Sequence, residues 1–155
     1  MLKKLKPYII SIAIALAVGG LSAFLTRGNM DLYATINTPA LSPPAILFPI
    51  VWTILYILMG ISAAAIFEKK DTHDVSGALK TYALQLAVNF FWSIIFFNMR
   101  AYLFAFVWLI VLLLLVIIMI VQFYRIRRWA AYLQIPYALW LTFAAYLSLM
   151  IYILN

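Results

Sequence analysis

The sequence has no cysteine, one histidine and only four acidic residues among its 155. Without cysteine the chain can form no disulfide, no thiolate metal site and no redox thiol. The single histidine, His73, lies in a charged segment between two apolar runs, so no imidazole is expected as an axial ligand inside an apolar domain. We therefore expect no metal site and no resident cofactor.

Charged residues are confined to short segments of the chain. All fifteen lie within 3–6, 27–31, 68–80, 100 and 125–128, and 68% of the residues are hydrophobic. A soluble domain of this size needs a charged surface that this chain lacks. The charge-free runs between these segments each hold at least 19 residues, and a membrane-spanning helix needs about 20.

These runs predict an all-α integral membrane protein, a bundle of five transmembrane helices in a single domain over residues 1–155. The helices are expected at about 7–26, 43–67, 79–99, 101–124 and 129–154. An alternative for residues 1–25 is a cleaved signal peptide, because a basic start precedes an apolar run. That run is longer than a usual signal core, and Ser22-Ala23 is a poor cleavage context, so we expect a retained first helix.

The distribution of lysine and arginine predicts the orientation in the membrane. With five spans, nine of these residues fall on the side of the N-terminus, and only Arg27 and Arg100 fall on the other. The positive-inside rule then places the N-terminus in the cytoplasm and the C-terminus outside. The net charge of +7 therefore reflects topology, and we expect membrane lipid but no nucleic acid as a partner.

The connections between the helices differ in length. Residues 99–100 and 125–128 allow only tight turns, whereas 27–42 form a longer, proline-containing loop, which is typical of a lid over a binding site. Ser42 and Pro43 are expected to cap and start the second helix. Pro136 should kink the fifth helix near Tyr132.

The first helix carries a small residue at every fourth position from Ser11 to Ala23. Such a stripe permits close approach of another helix, within the bundle or between subunits, and packing within the bundle is the simpler use.

One face of the third helix is polar and aromatic. Gln85, Asn89 and Trp92 follow a spacing of i, i+4 and i+7, which places them together. Amides at membrane depth are costly unless they face protein or a cavity, so this face should point inward. It either lines a binding site or holds the bundle together by interhelical hydrogen bonds.

Two tryptophans lie too deep in their runs for the aromatic belt at the membrane interface. Trp92 and Trp140 are each twelfth in their charge-free run, whereas Trp108 and Trp129 fit the interfacial belt. The deep pair indicates either an apolar cavity or core packing, and each buried indole N–H needs a partner.

Catalytic groups are missing from the apolar runs. None of the five contains a carboxylate, a lysine or a histidine, so acid–base catalysis, hydrolysis and an ion or proton relay have no candidate residues. What remains is a cavity lined by aromatic rings and a few amides. Such a cavity suits a large, flat and mostly apolar ligand.

Three ordered blocks of residues resemble the translocator protein family, also called tryptophan-rich sensory proteins or peripheral-type benzodiazepine receptors. The first combines Pro39-x-x-Ser42-Pro43-Pro44 with Pro49-x-x-Trp52-x-x-Leu55-Tyr56-x-x-Met59-Gly60. The second is Gln85-Leu86-Ala87-x-Asn89-x-x-Trp92-x-x-x-Phe96-Phe97-x-x-Arg100. The third is Pro136-Tyr137-x-Leu139-Trp140-x-x-Phe143-Ala144-x-Tyr146-Leu147. The resemblance covers all five predicted helices.

The resemblance implies a five-helix bundle, often a homodimer, in a bacterial cytoplasmic membrane. Its pocket would lie under the first loop and bind porphyrins or haem, sterols and benzodiazepine-type drugs as ligands. The pocket residues that it implies are Tyr33, Trp52, Gln85, Asn89, Trp92, Trp140 and Ala144.

Two departures from the family pattern narrow this expectation. Leu41 replaces the usual tryptophan before the proline pair, and the chain ends at Asn155 without the basic residue that completes the C-terminal sterol motif. That motif is a weak pattern even when intact. A tetrapyrrole-linked role is therefore favoured over sterol recognition.

Three hypotheses follow for the function. The first is a sensor or carrier that binds porphyrins, and the second is an enzyme that degrades protoporphyrin in light. In the second, Tyr33, Trp52 and Trp140 would be the redox-active rings. The third is a structural or regulatory membrane partner. The sequence leaves enzymatic activity open.

Overall fold

The computed structural model describes residues 2–29, 36–38, 42–44 and 46–155. Helix is the only regular secondary structure in these ranges. The helices are α1 Leu2–Thr26, α2 Leu47–Phe67, α3 Ser76–Ser93, α4 Tyr102–Ile126, α5 Arg128–Leu133 and α6 Ile135–Leu154. A 3₁₀ turn, Arg27–Asn29, follows α1, and a π-helical turn, Ile94–Asn98, follows α3.

Five helical spans in the described residues are long and apolar enough to cross a membrane. They are Lys3–Asn29, Leu47–Phe67, Ser76–Asn98, Tyr102–Ile126 and Arg128–Leu154, the last formed by α5 and α6 together. The predicted all-α membrane fold is therefore confirmed. The protein is an integral membrane protein.

The start of α2 differs from the expectation. The helix begins at Leu47 and its N-cap residue, Ile46, makes no side-chain cap hydrogen bond, so the predicted cap at Ser42 and start at Pro43 are wrong. A residue that precedes proline is pushed out of the helical region, and both Ser42 and Pro43 precede a proline. The Pro44 carbonyl accepts a hydrogen bond from the Leu47 N–H at 3.0 Å, which forms the turn into the helix.

The turn from α3 to α4 is tight, as expected, but has an unusual backbone. The N–H of Met99 donates to the carbonyl of Ile94 at 3.0 Å, a five-residue spacing that widens the helix. Arg100 then adopts a φ of 51°, in the left-handed region that residues with a side chain seldom occupy. This backbone allows α4 to begin at Tyr102.

The fifth span is interrupted where proline predicts it. α5 ends at Leu133, α6 begins at Ile135, and Pro136 lies in the first turn of α6. Because proline has no N–H, helical hydrogen bonding resumes with the bond from Ala138 N–H to the Gln134 carbonyl at 3.1 Å. The interruption is one residue long: Gln134 keeps a right-handed helical backbone with φ −90° and ψ −10°, and α5 and α6 remain one span.

Close packing of α1 against α2 depends on two glycines. A Cβ at Gly60 would lie 2.5 Å from Cα of Ile12, and one at Gly19 would meet the ring of Tyr56. Ala15, in the same small-residue stripe as Gly19, is fully buried. The stripe therefore packs within the bundle, as small residues do at helix crossings in membranes.

The N-terminal end of the bundle, defined by Tyr8, Glu68 and Arg127, is joined by polar contacts. The Tyr8 hydroxyl donates to Glu68 Oε1, and Arg127 Nη1 lies 2.8 Å from the same oxygen. Arg127 Nη1 also donates to the Ala65 carbonyl at 3.0 Å. These contacts connect α1, α2 and the turn between α4 and α5. The hydrogen bond from Tyr8 and the Arg127 guanidinium also lower the pKa of the Glu68 carboxyl.

Candidate functional site

A cavity of about 470 Å³ lies at one end of the bundle. We call this end, which is opposite to Tyr8 and Glu68, the cavity end. The cavity wall is formed by the last turns of α1, the start of α2, the end of α3 with the π-helical turn, and α6. Aromatic side chains dominate this wall: Phe48, Trp52, Tyr56, Trp92, Phe96, Phe97 and Trp140. Three serines supply hydroxyl groups: Ser22, Ser93 and Ser148.

Trp52 is the centre of the aromatic cluster. The centroid of its ring lies 5.6 Å from that of Tyr56, 6.4 Å from Trp92 and 6.5 Å from Trp140. Tyr137 approaches it edge-on at 6.1 Å. These separations fall in the range of attractive ring pairs, so the rings from α2, α3 and α6 support one another as a preformed wall.

Two indole N–H groups in this wall have no hydrogen-bond partner within the described part of the chain. Among the described residues, Nε1 of Trp92 and Nε1 of Trp140 are buried and unpaired, and Trp92 as a whole is only 7% exposed. By contrast, Nε1 of Trp108 donates to the Val88 carbonyl at 2.6 Å, which joins α4 to α3. Both nitrogens are closed off by neighbouring side chains, so an acceptor in the cavity could bond either one only after its ring turned, at the cost that any unmade buried hydrogen bond carries.

A polar network lies beside the cavity, on the side of the bundle core. Tyr137 donates its hydroxyl to Gln85 Oε1 at 2.7 Å and accepts from Asn89 Nδ2 at 2.9 Å. Tyr56 donates to Asn89 Oδ1 at 3.3 Å, and Gln85 Nε2 lies 3.8 Å from the Met59 sulfur. These contacts join α2, α3 and α6 through groups that could not be solvated in a membrane.

The structure brings four of the predicted site residues together. Trp52, Trp92, Trp140 and Ala144 line the cavity. Gln85 and Asn89 do point inward, at 0% and 2% exposed, but they are not among the lining residues and their amides bond within the bundle. These bonds are the interhelical contacts that one of the two sequence-based interpretations expected. Direct contact of Gln85 or Asn89 with a ligand stays a prediction.

Part of the predicted lid falls outside the described residues, including Tyr33 and Leu41. Of the first connection, the described stretch 36–38 contacts the end of the chain. The Asn37 N–H donates to Asn155 Oδ1 at 3.1 Å, and Asn155 Nδ2 donates to the Asn37 carbonyl at 2.9 Å. This part of the loop is therefore attached to the end of α6.

Several wall residues were missed by the sequence analysis. Tyr56 follows Trp52 by four positions, and Ser148 follows Ala144 by four. Helical spacing places such pairs on one face, so extending each predicted position by one turn would have found them.

The site offers binding groups but no acid–base pair. The described lining residues include no Asp, Glu, Lys, Arg or His, and the described residues contain no cluster of three potential metal ligands. What the wall can supply is ring surface and hydrogen-bond donors. It is therefore equipped to hold a flat, largely apolar molecule.

Comparison with known proteins identifies relatives over nearly the whole chain. Residues 11–154 match the model of the TspO/MBR family. The chain is 35% identical to the tryptophan-rich protein TspO of Chlorobaculum tepidum, with 100% of this chain and 99% of the relative covered. It is 37% identical to a protein of the same name from Archaeoglobus fulgidus, with 94% of each covered. It is 31% identical to the translocator protein of Sus scrofa, with 84% and 82% covered.

Proposed function

The chain belongs to the TspO/MBR family, and we propose that it is a membrane-embedded binding protein, a sensor or carrier, for porphyrins and related large apolar ligands. The observation that carries this proposal is the cavity of about 470 Å³ that is lined by Trp52, Trp92, Trp140 and four further aromatic rings. A flat ring system would stack against these rings, and the serine hydroxyls of the wall would be available to bond its polar groups.

The position of the cavity supports ligand entry from one side of the membrane. By the distribution of lysine and arginine, we propose that the N-terminal end faces the cytoplasm of a bacterial cell and that the cavity end faces outward. The first connection would then cap the cavity from outside. The bonds between Asn37 and Asn155 support this arrangement, because they hold part of that connection at the cavity end.

The proposal is tested by titrating purified protein in lipid nanodiscs with protoporphyrin IX in the dark, following tryptophan fluorescence. We expect saturable quenching, and we expect Trp140→Ala to weaken binding by about tenfold or more, since large aromatic truncations at binding sites cost upward of 1–2 kcal/mol. Trp129→Ala is the matched control, because Trp129 is 43% exposed and is not among the cavity-lining residues.

Two results would contradict the proposal. One is quenching that never saturates and so reports partition into lipid alone. The other is equal loss of affinity in the Trp140 and Trp129 variants, which would place the ligand elsewhere on the protein.

A second candidate function is light-dependent degradation of protoporphyrin. It is supported by the contact of Trp52 with both Trp140 and Tyr56, which places oxidisable rings beside any ligand in the cavity. The photoexcited porphyrin would be the sensitiser, the neighbouring rings would exchange electrons with it, and dissolved dioxygen would be the terminal oxidant. In this function Trp140→Phe should keep the ligand bound but slow its loss under illumination at equal occupancy. Wild-type loss no faster than with an unrelated membrane protein would exclude it.

A further inference from the structure

The described residues of the cavity wall supply no positive charge. They are aromatic, aliphatic or hydroxyl-bearing, and none is ionisable in the physiological range. Transfer of an ionised carboxylate into such surroundings without a partner is costly. Any acidic group on a bound ring must therefore lie at the mouth of the cavity, where water and cations can reach it.

Two arginines lie at the cavity end of the bundle. Arg27 comes four residues after the lining residue Ala23, and Arg100 comes three residues after the lining residue Phe97. Each is therefore about one turn beyond the wall, and both are exposed. No other lysine or arginine falls on this side of the five-span topology. Its one acidic residue, Asp31, lies outside the described residues.

Side-chain amides hold the two arginine-bearing turns together. Asn29 Nδ2 donates to Asn98 Oδ1 at 2.7 Å, and Asn98 Nδ2 donates to the Leu25 carbonyl at 3.1 Å. These bonds connect the turn after α1 to the turn after α3, two residues away from each arginine. The two turns that carry the arginines therefore lie together at one edge of the cavity end.

Arg100 occupies a position that is more easily adopted by glycine. Its φ of 51° is free of strain for glycine but costs energy for a residue with a Cβ. That an arginine stands here in place of an unstrained glycine indicates that its cationic side chain has a role. The Arg27 guanidinium lies 3.8 Å from the centre of the Phe24 ring, and its Nη1 donates to the Phe24 carbonyl at 3.4 Å. These contacts leave the other N–H donors of the fork available.

We propose that Arg27 and Arg100 form a carboxylate-recognition rim, and that the ligand is an apolar ring system with acidic substituents directed to the mouth. This inference rests on the proposed function. In it the indole wall binds the ring, and the rim selects the acid through charge-assisted hydrogen bonds, for which the arginine fork is well suited. The rim also fixes the direction in which the ligand enters.

The test compares protoporphyrin IX with its dimethyl ester, which has the same ring and no carboxylate. Wild type, Arg27→Gln, Arg100→Gln and the double variant are titrated with both ligands in nanodiscs of neutral phosphatidylcholine. Arg125→Gln is the matched control, because Arg125 is an exposed arginine at the opposite end of the bundle. Because the same two ligands are used throughout, differences in their partition into lipid cancel when each variant is compared with wild type.

We expect each rim variant to raise the Kd for the diacid by about threefold to tenfold, the range of partly exposed charged contacts. The Kd for the ester should change little, and Arg125→Gln should change neither. Equal weakening for diacid and ester, or a loss no larger than in Arg125→Gln, would overturn the rim while leaving the binding function intact. Failure of wild type to bind either ligand would overturn both.

Discussion

The two ends of the bundle differ in what fills the space between the helices. At the N-terminal end and in the core, small residues, hydrogen bonds and one ion pair bring the helices close together, as at Gly60 and Ser62, whose hydroxyl donates to the Ala130 carbonyl at 2.7 Å. At the cavity end, large rings line an open space of about 470 Å³. The difference shows that most of the packing contacts and most of the cavity surface lie in different parts of one small fold, with Gly19 and Tyr56 belonging to both.

The largest effect should come from a side chain added at Gly60. Gly60→Leu places a Cβ 2.5 Å from Cα of Ile12, so α1 and α2 must separate, and overpacking of this kind costs about 1–3 kcal/mol or more. Unfolding in detergent, followed by circular dichroism, measures the loss. Gly20→Ala is the control, since a Cβ there meets nothing within 4 Å; equal destabilisation by both would show that the close approach at Gly60 does not matter.

The next effect tests whether the polar network belongs to the packed end or to the site. Tyr137→Phe removes the hydroxyl that bonds both Gln85 and Asn89, and leaving such groups unsatisfied costs about 1–3 kcal/mol. We expect the melting temperature without ligand to fall and the porphyrin affinity of the folded protein to change little. A loss of affinity without loss of stability would instead assign the network to ligand binding. Tyr146→Phe, at an exposed ring, is the control.

At Trp92 we expect the reverse of the Tyr137 result: a small loss of stability and a clear loss of ligand affinity. Trp92→Phe removes a buried, unpaired indole donor while retaining a ring. Removal of that donor offsets part of the packing that is lost, so the unliganded protein should lose about 1 kcal/mol. Affinity for a flat ligand should fall by roughly threefold to tenfold, because the cavity wall loses ring surface. Isothermal titration and thermal unfolding of the same samples give both values. A large loss of stability with unchanged affinity would class Trp92 with the packed core.

The smallest effect should arise at Glu68. Because its pKa is lowered in the folded protein, its contribution to stability is present above the ordinary carboxyl value of 4.5. That contribution is lost as the pH falls through the lower folded value. Glu68 and Arg127 are partly exposed, so the contribution is modest. Glu68→Gln should flatten the dependence of the melting temperature on pH between about pH 5 and pH 3, with Asp71→Asn as the control.

How far the sequence predicts this structure depends on the kind of interaction. The five spans follow from the spacing of charged residues, since a charge-free run of sufficient length has few alternatives to a membrane helix. The interruption near Pro136 follows from a missing N–H. The late start of α2 was missed because each proline restricts the residue before it, an effect that outweighed the capping preference of Ser42.

The candidate site was predictable in its rings but less so in its amides. Trp52, Trp92, Trp140 and Ala144 meet at the cavity, whereas Gln85 and Asn89 find partners on other helices. Periodicity shows that a residue faces inward, but it contains no information on whether a tyrosine such as Tyr137 stands opposite to accept and donate hydrogen bonds. That depends on the register of α3 against α6, which only the packed structure fixes.

The attachment of Asn37 to Asn155 has a consequence for kinetics. Helix ends open more readily than helix interiors, and Asn155 is bonded both to Asn37 and to the Ile151 carbonyl in the last turn of α6. Fraying of that turn would therefore release the described stretch 36–38 from α6. If the first connection caps the cavity as proposed, Asn155→Ala would then raise the off-rate of a ligand without changing a residue of the cavity wall.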